Sequence, residues 1–476
     1  MMTMTRSLPL CVDCDGTLIR TDLLHESVLL LAKSSPLSLL KLPFWLLKGK
    51  AHLKQQIAQR VSLNAQSLPY DPEVLDLIKN ARAQGRSVVL ATASPRGQAE
   101  AIAAHLDLFD RVEATDAQTN LAGPNKAAHL ESLFGRGGFD YAGNSRADLP
   151  VWAVSAGAIV VSSSQSLHKA AAASVSVLQV IKQLPRSLKV YAKAIRVHQW
   201  LKNLLVFVPV FAGHQLSAEP ITAALLAFAA FSLCASAVYV INDLLDLASD
   251  RVHARKRNRP FASGALPISH GIAMAPALLL AAALIAAQLP IAFAATLVAY
   301  FAVTCLYSFW LKNQVIVDVL MLASLYTSRI IAGSAATEIV PSFWLLAFSM
   351  FMFLSLAIVK RYSEMLVVIQ QNKTKAAGRG YVVSDLPVLV SLGSAAGYMA
   401  ILILALYVNS PDLNGLYPRR WALWLVLPPL LYWISRVWMK AHRGEMHDDP
   451  VVFAATDKQS WVIAVLVGCA LLAATL

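Results

Sequence analysis

Nine long apolar segments dominate the C-terminal part of this 476-residue sequence. They cover residues 203–218, 221–241, 271–289, 291–310, 315–336, 342–359, 387–408, 421–438 and 460–476. Most of them approach the ~20 residues that an α-helix needs to cross a bilayer. Only 14% of all residues are charged, against about 25% in typical soluble domains. The sequence therefore predicts an all-α, multi-pass membrane domain over residues 199–476.

The loops between the apolar segments predict how this domain is oriented. If the N-terminus lies inside, Lys and Arg crowd into the inner loops, and the outer loops carry only Arg419 and Arg420. Such a positive-inside bias is typical of multi-pass proteins. It accounts for the net charge of +13 without nucleic acid as a partner. We expect membrane lipids around the protein, in a bacterial-type inner (plasma) membrane, with the N-terminal domain and every polar motif on the cytoplasmic side.

Residues 1–165 have a different pattern, with short apolar runs that alternate with helical stretches. The runs at 8–12, 87–92 and 158–161 predict buried strands, and a helix is expected from about Arg96. Strands that alternate with helices predict an α/β domain with a doubly wound parallel sheet. The first apolar run leads directly into acidic residues, so it predicts a strand rather than a signal peptide. Residues 20–84 form a helical insert in this pattern.

Residues 166–198 are predicted to link the two domains. A helix over residues 178–197 would collect basic side chains on one side and apolar side chains on the other. The basic residues are Lys182, Arg186, Lys189, Lys193 and Arg196. A basic amphipathic helix of this kind suits the surface of an anionic leaflet. The alternative is a solvated helix that packs on the soluble domain.

Two aspartates at the end of the first predicted strand suggest phosphate chemistry. Asp13 and Asp15 are separated by one residue, at the strand end where open α/β sheets bind ligands. One carboxylate can act as a nucleophile while the other serves as acid and base. Thr92 follows the second strand, Lys126 follows a later loop, and Asp148 lies in the segment GNSRAD.

These pieces, in this order over residues 1–160, resemble the haloacid dehalogenase (HAD) superfamily. The resemblance implies a Rossmannoid fold, an aspartyl-phosphate on Asp13, and a helical cap that selects substrate. It also implies that Asp15 is the acid/base and that Thr92 and Lys126 hold the phosphoryl oxygens. The implied Mg²⁺ site consists of Asp13, Asp15, Asn144 and Asp148. Asn144 departs from the family pattern GDxxxD, so both an active phosphatase and a silent domain stay open.

A second acidic motif lies at the end of a long apolar segment. Asp243, Asp246 and Asp250 follow the spacing i, i+3, i+7, which places them on one helix face. Carboxylates without His or Cys suit Mg²⁺, which bridges to phosphate oxygens. Arg251, Lys256, Arg257 and Arg259 follow directly and suit a diphosphate. Positive-inside anchoring would explain the basic residues but not the carboxylates.

The sequence NDxxDxxxD with its basic extension resembles the first signature of UbiA prenyltransferases, over residues 195–476. The resemblance implies that Asp243 and Asp246 are catalytic, and that Asp243, Asp246 and Asp250 hold Mg²⁺. The expected substrate-binding residues are Asn242, Asp250, Arg251, Lys256, Arg257, Arg259, Lys202, Lys312, Asp318, Arg329, Lys360 and Arg361. The second acidic region departs from the usual pattern, because Leu322 stands four residues after Asp318.

Four further segments resemble a narrower branch, the polyprenyl-phosphate phosphoribosyltransferases. They are HQWLKNLLVFVPVF (198–211), DRVHARKRNRP (250–260), VKRYSE (359–364) and HDDPVVFAATD (447–457). The resemblance implies phosphoribosyl diphosphate as donor and a polyprenyl phosphate as acceptor. His198, Trp200 and Lys202 would meet the acceptor phosphate, although Trp200 is equally well explained as an interfacial anchor.

The favoured hypothesis is transfer of 5-phosphoribose to a polyprenyl phosphate, followed by removal of the 5-phosphate by the HAD domain. One alternative is prenyl transfer to an aromatic, quinone-like acceptor, with a HAD domain of separate or no activity. A membrane-anchored scaffold that binds phosphorylated ligands is the non-enzymatic alternative. The sequence leaves open the prenyl chain length and whether the protein forms a homo-oligomer.

Overall fold

The structure is a computed structural model that describes residues 8–116, 119–183, 187–375, 379–413, 416–446 and 449–476. The chain divides into two compact units. The first contains Met1–Ile195 and Tyr239–Ala275, and the second contains Arg196–Val238 and Pro276–Leu476. Residues 239–275, predicted as part of the membrane domain, therefore pack within the N-terminal unit.

A six-stranded parallel sheet forms the centre of the first unit. Its strands are β1 (Leu10–Val12), β2 (Val88–Pro95), β3 (Arg111–Thr115), β4 (Asp140–Gly143), β5 (Gly157–Val161) and β6 (Val177–Ile181). They lie in the order β3-β2-β1-β4-β5-β6, and all neighbours are parallel. The predicted doubly wound sheet is confirmed. The strand order reverses beside β1, which is where such sheets bind ligands.

Helices cover both faces of the sheet, as a buried parallel sheet requires. The helices before residue 196 are α1 (Leu23–Ser34), α2 (Leu42–Leu47), α3 (Lys50–Ala58), α4 (Pro72–Ala83), α5 (Arg96–Leu106), α6 (Pro124–Phe134), α7 (Leu149–Trp152), α8 (Gln165–Ala172) and α9 (Leu188–Ala194). Leu10 packs with Ile78 of α4 and Ile102 of α5 on one face. Cys11 packs with Leu130 of α6 and Trp152 of α7 on the other.

The helical insert after β1 has a small core of its own. Leu31 of α1, Trp45 of α2 and Ile57 of α3 form a separate apolar cluster. Helix α4, by contrast, contributes Val74 and Ile78 to the main core beneath the sheet. The cap therefore ends before α4, whereas the sequence pattern extended it to residue 84.

The predicted helix over residues 178–197 is wrong. Val177–Ile181 forms β6 at the edge of the sheet, and the helix that follows is limited to Leu188–Ala194. Val177, Val180 and Ile181 are β-branched, which favours a strand that pairs with β5. The sheet therefore continues beyond the predicted boundary at residue 165. Arg186, one of the predicted basic residues, lies outside the described residues.

Helices of different lengths, most of them apolar, make up most of the remaining chain. They are α10 (Val208–Ala212), α11 (Ala218–Leu245), α12 (Leu247–Val252), α13 (Ile268–Ala286), α14 (Ile291–Phe309), α15 (Val317–Thr337), α16 (Phe343–Gln370), α17 (Leu386–Val408), α18 (Leu427–His442), α19 (Pro450–Thr456) and α20 (Lys458–Thr475). Among the described residues, eight helical segments are long and apolar enough to cross a membrane. Nine had been predicted, and the difference is the first segment, which is a 3₁₀ helix over Val197–Phe207 followed by the short α10.

The aspartate motif spans a break between two helices. Helix α11 ends at Leu245 and α12 begins at Leu247, with Asp246 between them at φ −102° and ψ 12°. Helical hydrogen bonds continue across the break, from the Asp246 amide to Asn242 (3.0 Å) and from the Asp250 amide to Asp246 (2.9 Å). The three aspartates thus stay close to helical register although the helix is not continuous.

The first apolar segment generates a prediction about topology. A 3₁₀ helix rises about 2.0 Å per residue and an α-helix about 1.5 Å, so Val197–Ala212 can reach about 30 Å, the thickness of the hydrocarbon core. We predict that it crosses the membrane. Reporters fused before residue 8 and after Leu476 should then lie on opposite sides, with a reporter in the segment that follows α16 on the N-terminal side. Two terminal reporters on one side would mean eight crossings.

Candidate functional site

Polar side chains meet at the carboxyl ends of β1, β2 and β4 in the first unit. Asp13 follows β1 directly and is buried. The Lys126 ammonium, on α6, donates a 2.6 Å hydrogen bond to the Asp13 carboxylate. Lys126 also donates to the Tyr141 hydroxyl (2.9 Å), which donates to Asp148 (3.0 Å). The structure thus brings Asp13, Lys126 and Asp148, predicted from distant parts of the sequence, into one network.

Asp15 is held by two donors beside this network. The Leu23 amide donates to one carboxylate oxygen at 2.8 Å, and the Ser94 hydroxyl donates to the other at 2.6 Å. Burial raises the pKa of Asp15, and the nearby Asp22 carboxylate raises it further. A raised pKa suits a carboxyl group that must donate a proton. Thr92, predicted to hold phosphoryl oxygens, is fully buried in β2. Its hydroxyl accepts a hydrogen bond from the Ser94 amide (3.0 Å).

The carboxylate oxygens at the ends of β1 and β4 suit a magnesium ion. Burial raises the pKa of Asp13, Lys126 opposes the shift, and the Asp148 carboxylate adds to it. Within the described residues, no group of three or more His, Cys, Asp or Glu side chains could hold a metal alone. Mg²⁺, however, is commonly held by one or two carboxylates with water and substrate phosphate. Asp13 and Asp148 satisfy that requirement.

Asn144 lies against the loop that carries the two aspartates. A Cβ added at Gly16 would be 2.1 Å from the Asn144 amide nitrogen, and Gly16 has φ +74°. Only glycine therefore fits at this position of the loop. Asn144 also donates its backbone amide to Asp148 at 3.1 Å. The predicted metal ligand is thus next to Asp148, although its side chain supplies an amide in place of a carboxylate.

A lysine from the cap also reaches the site. Lys54, on α3, donates a 2.6 Å hydrogen bond to the carbonyl oxygen of Ala93 in β2. Burial lowers the pKa of Lys54, while the negative charges of Asp15 and Asp22 oppose that shift. The sequence does not predict Lys54, because the helical pattern of the insert does not show which residue faces the sheet. Ser94, two residues after Thr92 in β2, is also absent from the predicted site.

Two of the three aspartates near the end of α11 converge on one cation. The same guanidinium nitrogen of Arg259 donates to Asp243 at 3.1 Å and to Asp250 at 2.6 Å. Both carboxylates are buried, and Arg259 is partly exposed. The oxygens of these two carboxylates lie around one positive charge in the structure. They are ligand atoms of the kind that Mg²⁺ prefers, so this pair of residues fits the ion.

Other residues of this segment have different partners. Asp246 accepts from the Lys33 ammonium at 3.1 Å, and Asn242 lies four residues earlier in α11. Arg251 forms a buried ion pair with Glu26 of α1 at 2.5 Å. Lys256 and Arg257 are exposed in the following turn. The predicted cations thus separate into Arg259 at the carboxylates, Arg251 in a structural pair, and two exposed side chains.

In the second unit, two predicted lysines share one carboxylate. Lys202 forms a buried ion pair with Asp449, and the Lys360 ammonium lies 3.7 Å from the same carboxylate. Burial would raise the pKa of Asp449, but Lys360 and Lys202 lower it to about 2. Asp449 caps α19 through the Val451 amide (3.0 Å). This aspartate was not predicted as a site residue, although it lies in the segment HDDP, of which His447 and Asp448 are outside the described residues.

Arg329 is surrounded by aromatic rings. Its guanidinium lies 5.3 Å from the ring centre of Phe231 and 5.4 Å from those of Tyr300 and Tyr326. It donates to the Asn203 side chain at 2.9 Å. Lys202 lies 5.5 Å from the Tyr326 ring, so the two predicted cations share an aromatic neighbour.

Asp318 and Arg361 form a separate buried pair. The Arg361 guanidinium donates to one oxygen of Asp318, and the Tyr381 hydroxyl donates to the other at 2.6 Å. Arg361 also donates to Glu364 at 2.5 Å. Both Asp318 oxygens therefore have protein partners. Lys312 lies in the turn before α15, where its carbonyl oxygen accepts from Arg379 at 3.2 Å.

Residues 204–461 match the UbiA prenyltransferase family. The chain belongs to that family. Residues 10–152 match the haloacid dehalogenase-like hydrolases, which confirms the HAD-like domain expected from the motifs around Asp13. The protein is therefore a UbiA-family transferase with an N-terminal HAD-like domain. Family membership and the long apolar helices together identify it as an integral membrane protein.

Three similar proteins illustrate the likeness over different parts of the chain. The uncharacterized protein y4nM of Sinorhizobium fredii is 38% identical over 473 residues, which cover 98% of this chain and 90% of that protein. The decaprenyl-phosphate phosphoribosyltransferase of Mycolicibacterium smegmatis is 37% identical over 178 residues, which cover 36% of this chain and 56% of that enzyme. A solved UbiA homologue from Archaeoglobus fulgidus, bound to GPP and Mg²⁺, gives a TM-score of 0.46 at 14% identity and covers 60% of this chain and all of that one.

The geometry around Asp449 predicts unequal effects for its two lysines. Removing one partner of a buried ion pair costs about 3–5 kcal/mol. Because Lys202 is buried and directly bonded whereas Lys360 is 30% exposed, Lys202→Met should lower the thermal unfolding midpoint in detergent more than Lys360→Met. The lowered pKa of Asp449 means that the pair contributes fully above about pH 4 and is lost as pH falls toward 2. Equal shifts for both variants at pH 7 would contradict the assignment.

Proposed function

We propose that this chain transfers 5-phosphoribose from phosphoribosyl diphosphate to a polyprenyl phosphate, and that its HAD-like domain then removes the 5-phosphate. The observation that carries the proposal is the presence of two separate groups of charged side chains, each with at least one cation, in the transferase region. One is Arg259 with Asp243 and Asp250, and the other is Lys202 and Lys360 with Asp449. Two phosphorylated substrates require two such groups, whereas prenyl transfer to an aromatic acceptor requires one.

The aspartate segment is assigned to the donor. Asp243, Asp250 and Arg259 would hold the diphosphate, with Asp246 joining them when its contact to Lys33 opens. Bound Mg²⁺ would neutralise the departing diphosphate. An oxygen of the acceptor phosphate attacks C1 of the ribose, the bond from C1 to the diphosphate oxygen breaks, and diphosphate leaves. The exposed Lys256 and Arg257 add positive charge next to this segment.

The lysine pair is assigned to the acceptor phosphate. Lys202 and Lys360 face one carboxylate, so the group keeps a net positive charge. Asp449 holds both ammonium groups in place before the lipid arrives. The similarity to decaprenyl-phosphate phosphoribosyltransferases supports a polyprenyl phosphate as acceptor. Arg329, among its aromatic neighbours, is proposed as a further substrate contact.

The HAD-like site is assigned to the second step. Asp13 attacks the phosphorus of the 5-phosphate, and Asp15 donates a proton to the ribose oxygen that leaves. Water, activated by Asp15, then hydrolyses the aspartyl-phosphate and releases inorganic phosphate. Lys126 holds the Asp13 carboxylate and the phosphoryl oxygens, and Mg²⁺ held by Asp13 and Asp148 would balance their charge. Both domains are proposed to face the cytoplasm of a bacterial-type inner membrane, and their fusion would raise the effective concentration of the intermediate.

Competition between donors tests the transferase. Membranes that contain the protein should convert labelled phosphoribosyl diphosphate and polyprenyl phosphate into a ribosylated lipid. The reason is that the group around Arg259 is assigned to the donor diphosphate, and Lys202 with Lys360 to the acceptor phosphate. A prenyl diphosphate with an aromatic acid should give no product, as measured by thin-layer chromatography. The reverse result would favour the aromatic prenyltransferase alternative.

Two variants control the donor experiment. Asp243→Asn should abolish the product while the protein stays in the membrane, because it removes charge from the carboxylates that converge on Arg259. The matched control is Asp385→Asn, since Asp385 also lies at the end of a membrane helix but accepts a hydrogen bond from the Val382 amide (2.9 Å). Normal transfer by Asp243→Asn would remove the assignment of the aspartate segment.

The phosphatase step has its own variant. Asp13→Asn should leave ribosyl transfer intact but cause the 5-phosphorylated lipid to accumulate, because the nucleophile is lost. Asn144→Asp should lower the Mg²⁺ concentration needed for phosphate release, because it adds negative charge beside Asp148. Lipid chromatography and phosphate release measure both effects. The same phosphorylated lipid from wild type and Asp13→Asn would show that the HAD-like domain is silent.

A further inference from the structure

A cavity of about 230 Å³ opens beside Asp15 in the first unit. One side is formed by the loop after β1 and the start of α1, including Gly16, Asp22 and His25. The other side is formed by residues from Gly264 to Ser269, which belong to the region matched by the UbiA family. The HAD-like site and a piece of the transferase sequence therefore enclose one cavity.

Specific contacts hold this wall segment against the HAD-like domain. Arg251 is paired with Glu26 of α1, and its Nε donates to the Ala262 carbonyl oxygen at 3.0 Å. Tyr191 of α9 hydrogen bonds to His270 at 2.8 Å. Gly264 lies so close to Arg20 that an added Cβ would be 2.6 Å from the Arg20 carbonyl oxygen. The wall is thus fixed by a buried ion pair and by a close approach of two backbones.

We infer that this cavity is the leaving-group pocket of the phosphatase and that it selects a phosphate monoester attached to a membrane lipid. The inference rests on the proposed function, since it needs Asp13 and Asp15 to hydrolyse a phosphate. It assigns Gly264–Ser269, a segment of the transferase region, as a specificity determinant of the HAD-like site.

The position of Asp15 indicates which part of the substrate enters. When Asp13 attacks phosphorus, the bond to the leaving oxygen breaks on the side where Asp15 supplies the proton. Asp15 lines the cavity, whereas Asp13 does not. The group that carries the leaving oxygen therefore occupies the cavity, while the phosphoryl group stays beside Asp13 and Lys126.

The lining indicates the chemistry of that group. Side chains that donate or accept hydrogen bonds form part of the lining, including those of Thr21, His25, Asn144, Gln183 and Ser269. These groups suit the hydroxyl groups of a sugar, and the apolar remainder of the lining suits its carbon skeleton. A long polyprenyl chain does not fit a cavity of this size and has to remain outside.

The segment that forms the wall also indicates where the lipid lies. Ile268 and Ser269 line the cavity and are the first two residues of α13, a 19-residue helix with a mean hydropathy of 2.0 that is able to cross a membrane. The cavity therefore lies at the N-terminal end of this helix. A sugar phosphate that is attached to a lipid reaches this position with its chain in the membrane.

Three substrates and two glycine variants test the inference on the full-length protein in lipid nanodiscs. The substrates are 5-phosphoribosyl polyprenyl phosphate, ribose 5-phosphate and p-nitrophenyl phosphate, with phosphate release as the measurement. Wild type should prefer the lipid-linked ester over ribose 5-phosphate in kcat/KM. Gly264→Ala should reduce this preference by about tenfold or more, the scale of a lost pocket contact, because its Cβ pushes the wall away from Arg20.

The matched control is Gly85→Ala. Gly85 also has a positive φ of +73°, but a Cβ there meets nothing within 4 Å. It therefore reproduces the backbone strain of Gly264→Ala without moving the wall, and its substrate preference should equal that of wild type. Ala265→Leu fills the cavity from the same segment without backbone strain and should lower the preference as Gly264→Ala does.

The outcomes distinguish a wrong pocket assignment from a wrong phosphatase assignment. Equal use of the lipid-linked and soluble ribose phosphates by wild type would overturn the pocket assignment and leave the phosphatase standing. The same would follow if Gly264→Ala and Ala265→Leu kept the wild-type preference. No Asp13-dependent phosphate release from any of the three substrates would overturn the phosphatase and the pocket together.

Discussion

The bond from Lys126 to Asp13 sets the arrangement of the HAD-like site. A carboxylate buried at the end of β1 is costly unless a cation accompanies it, and Lys126 supplies that cation from α6 at 2.6 Å. Tyr141 extends the network to Asp148, and Ser94 and Leu23 fix Asp15 beside it. The strand order that places β1 between β2 and β4 makes these contacts possible, because their carboxyl ends meet at one edge of the sheet.

The same rule organises the transferase residues. Arg259 forms ion pairs with both Asp243 and Asp250. Lys202 and Lys360 both lie beside the Asp449 carboxylate, and Arg361 forms an ion pair with Asp318. In each case a buried carboxylate has a cation of the same unit as its partner. Lys256 and Arg257, by contrast, have exposed side chains.

The segment from Asp243 to Ser269 makes two sets of contacts in the first unit. Asp243 and Asp250 both accept hydrogen bonds from Arg259, and the residues near its end line the cavity beside Asp15. Arg251 connects this segment to α1. The sequence predicts that it binds the diphosphate, and in the structure its guanidinium is buried against Glu26, 225 residues away.

Helix and strand patterns predicted the parallel sheet, the apolar helices and most of the residues in the HAD-like site. Those features depend on local periodicity and on motifs that keep their order along the chain. The predicted helix over 178–197 is wrong because the β-branched residues of Val177–Ile181 pair with β5 at the edge of the sheet, and the charge periodicity of the segment does not reveal that pairing. The predicted end of the cap at residue 84 differs from the structure, because only tertiary packing shows that α4 covers the sheet.

Sequence alone thus determined which side chains share a helix face or a strand end, because periodicity along the backbone sets both. Tertiary structure decided which cation meets each carboxylate, since partners such as Lys33 and Asp246 lie 213 residues apart. It also decided that Gly264 approaches Arg20 and closes a cavity beside Asp15. Contacts of this kind arise only when distant segments pack together, and no spacing within either segment encodes them.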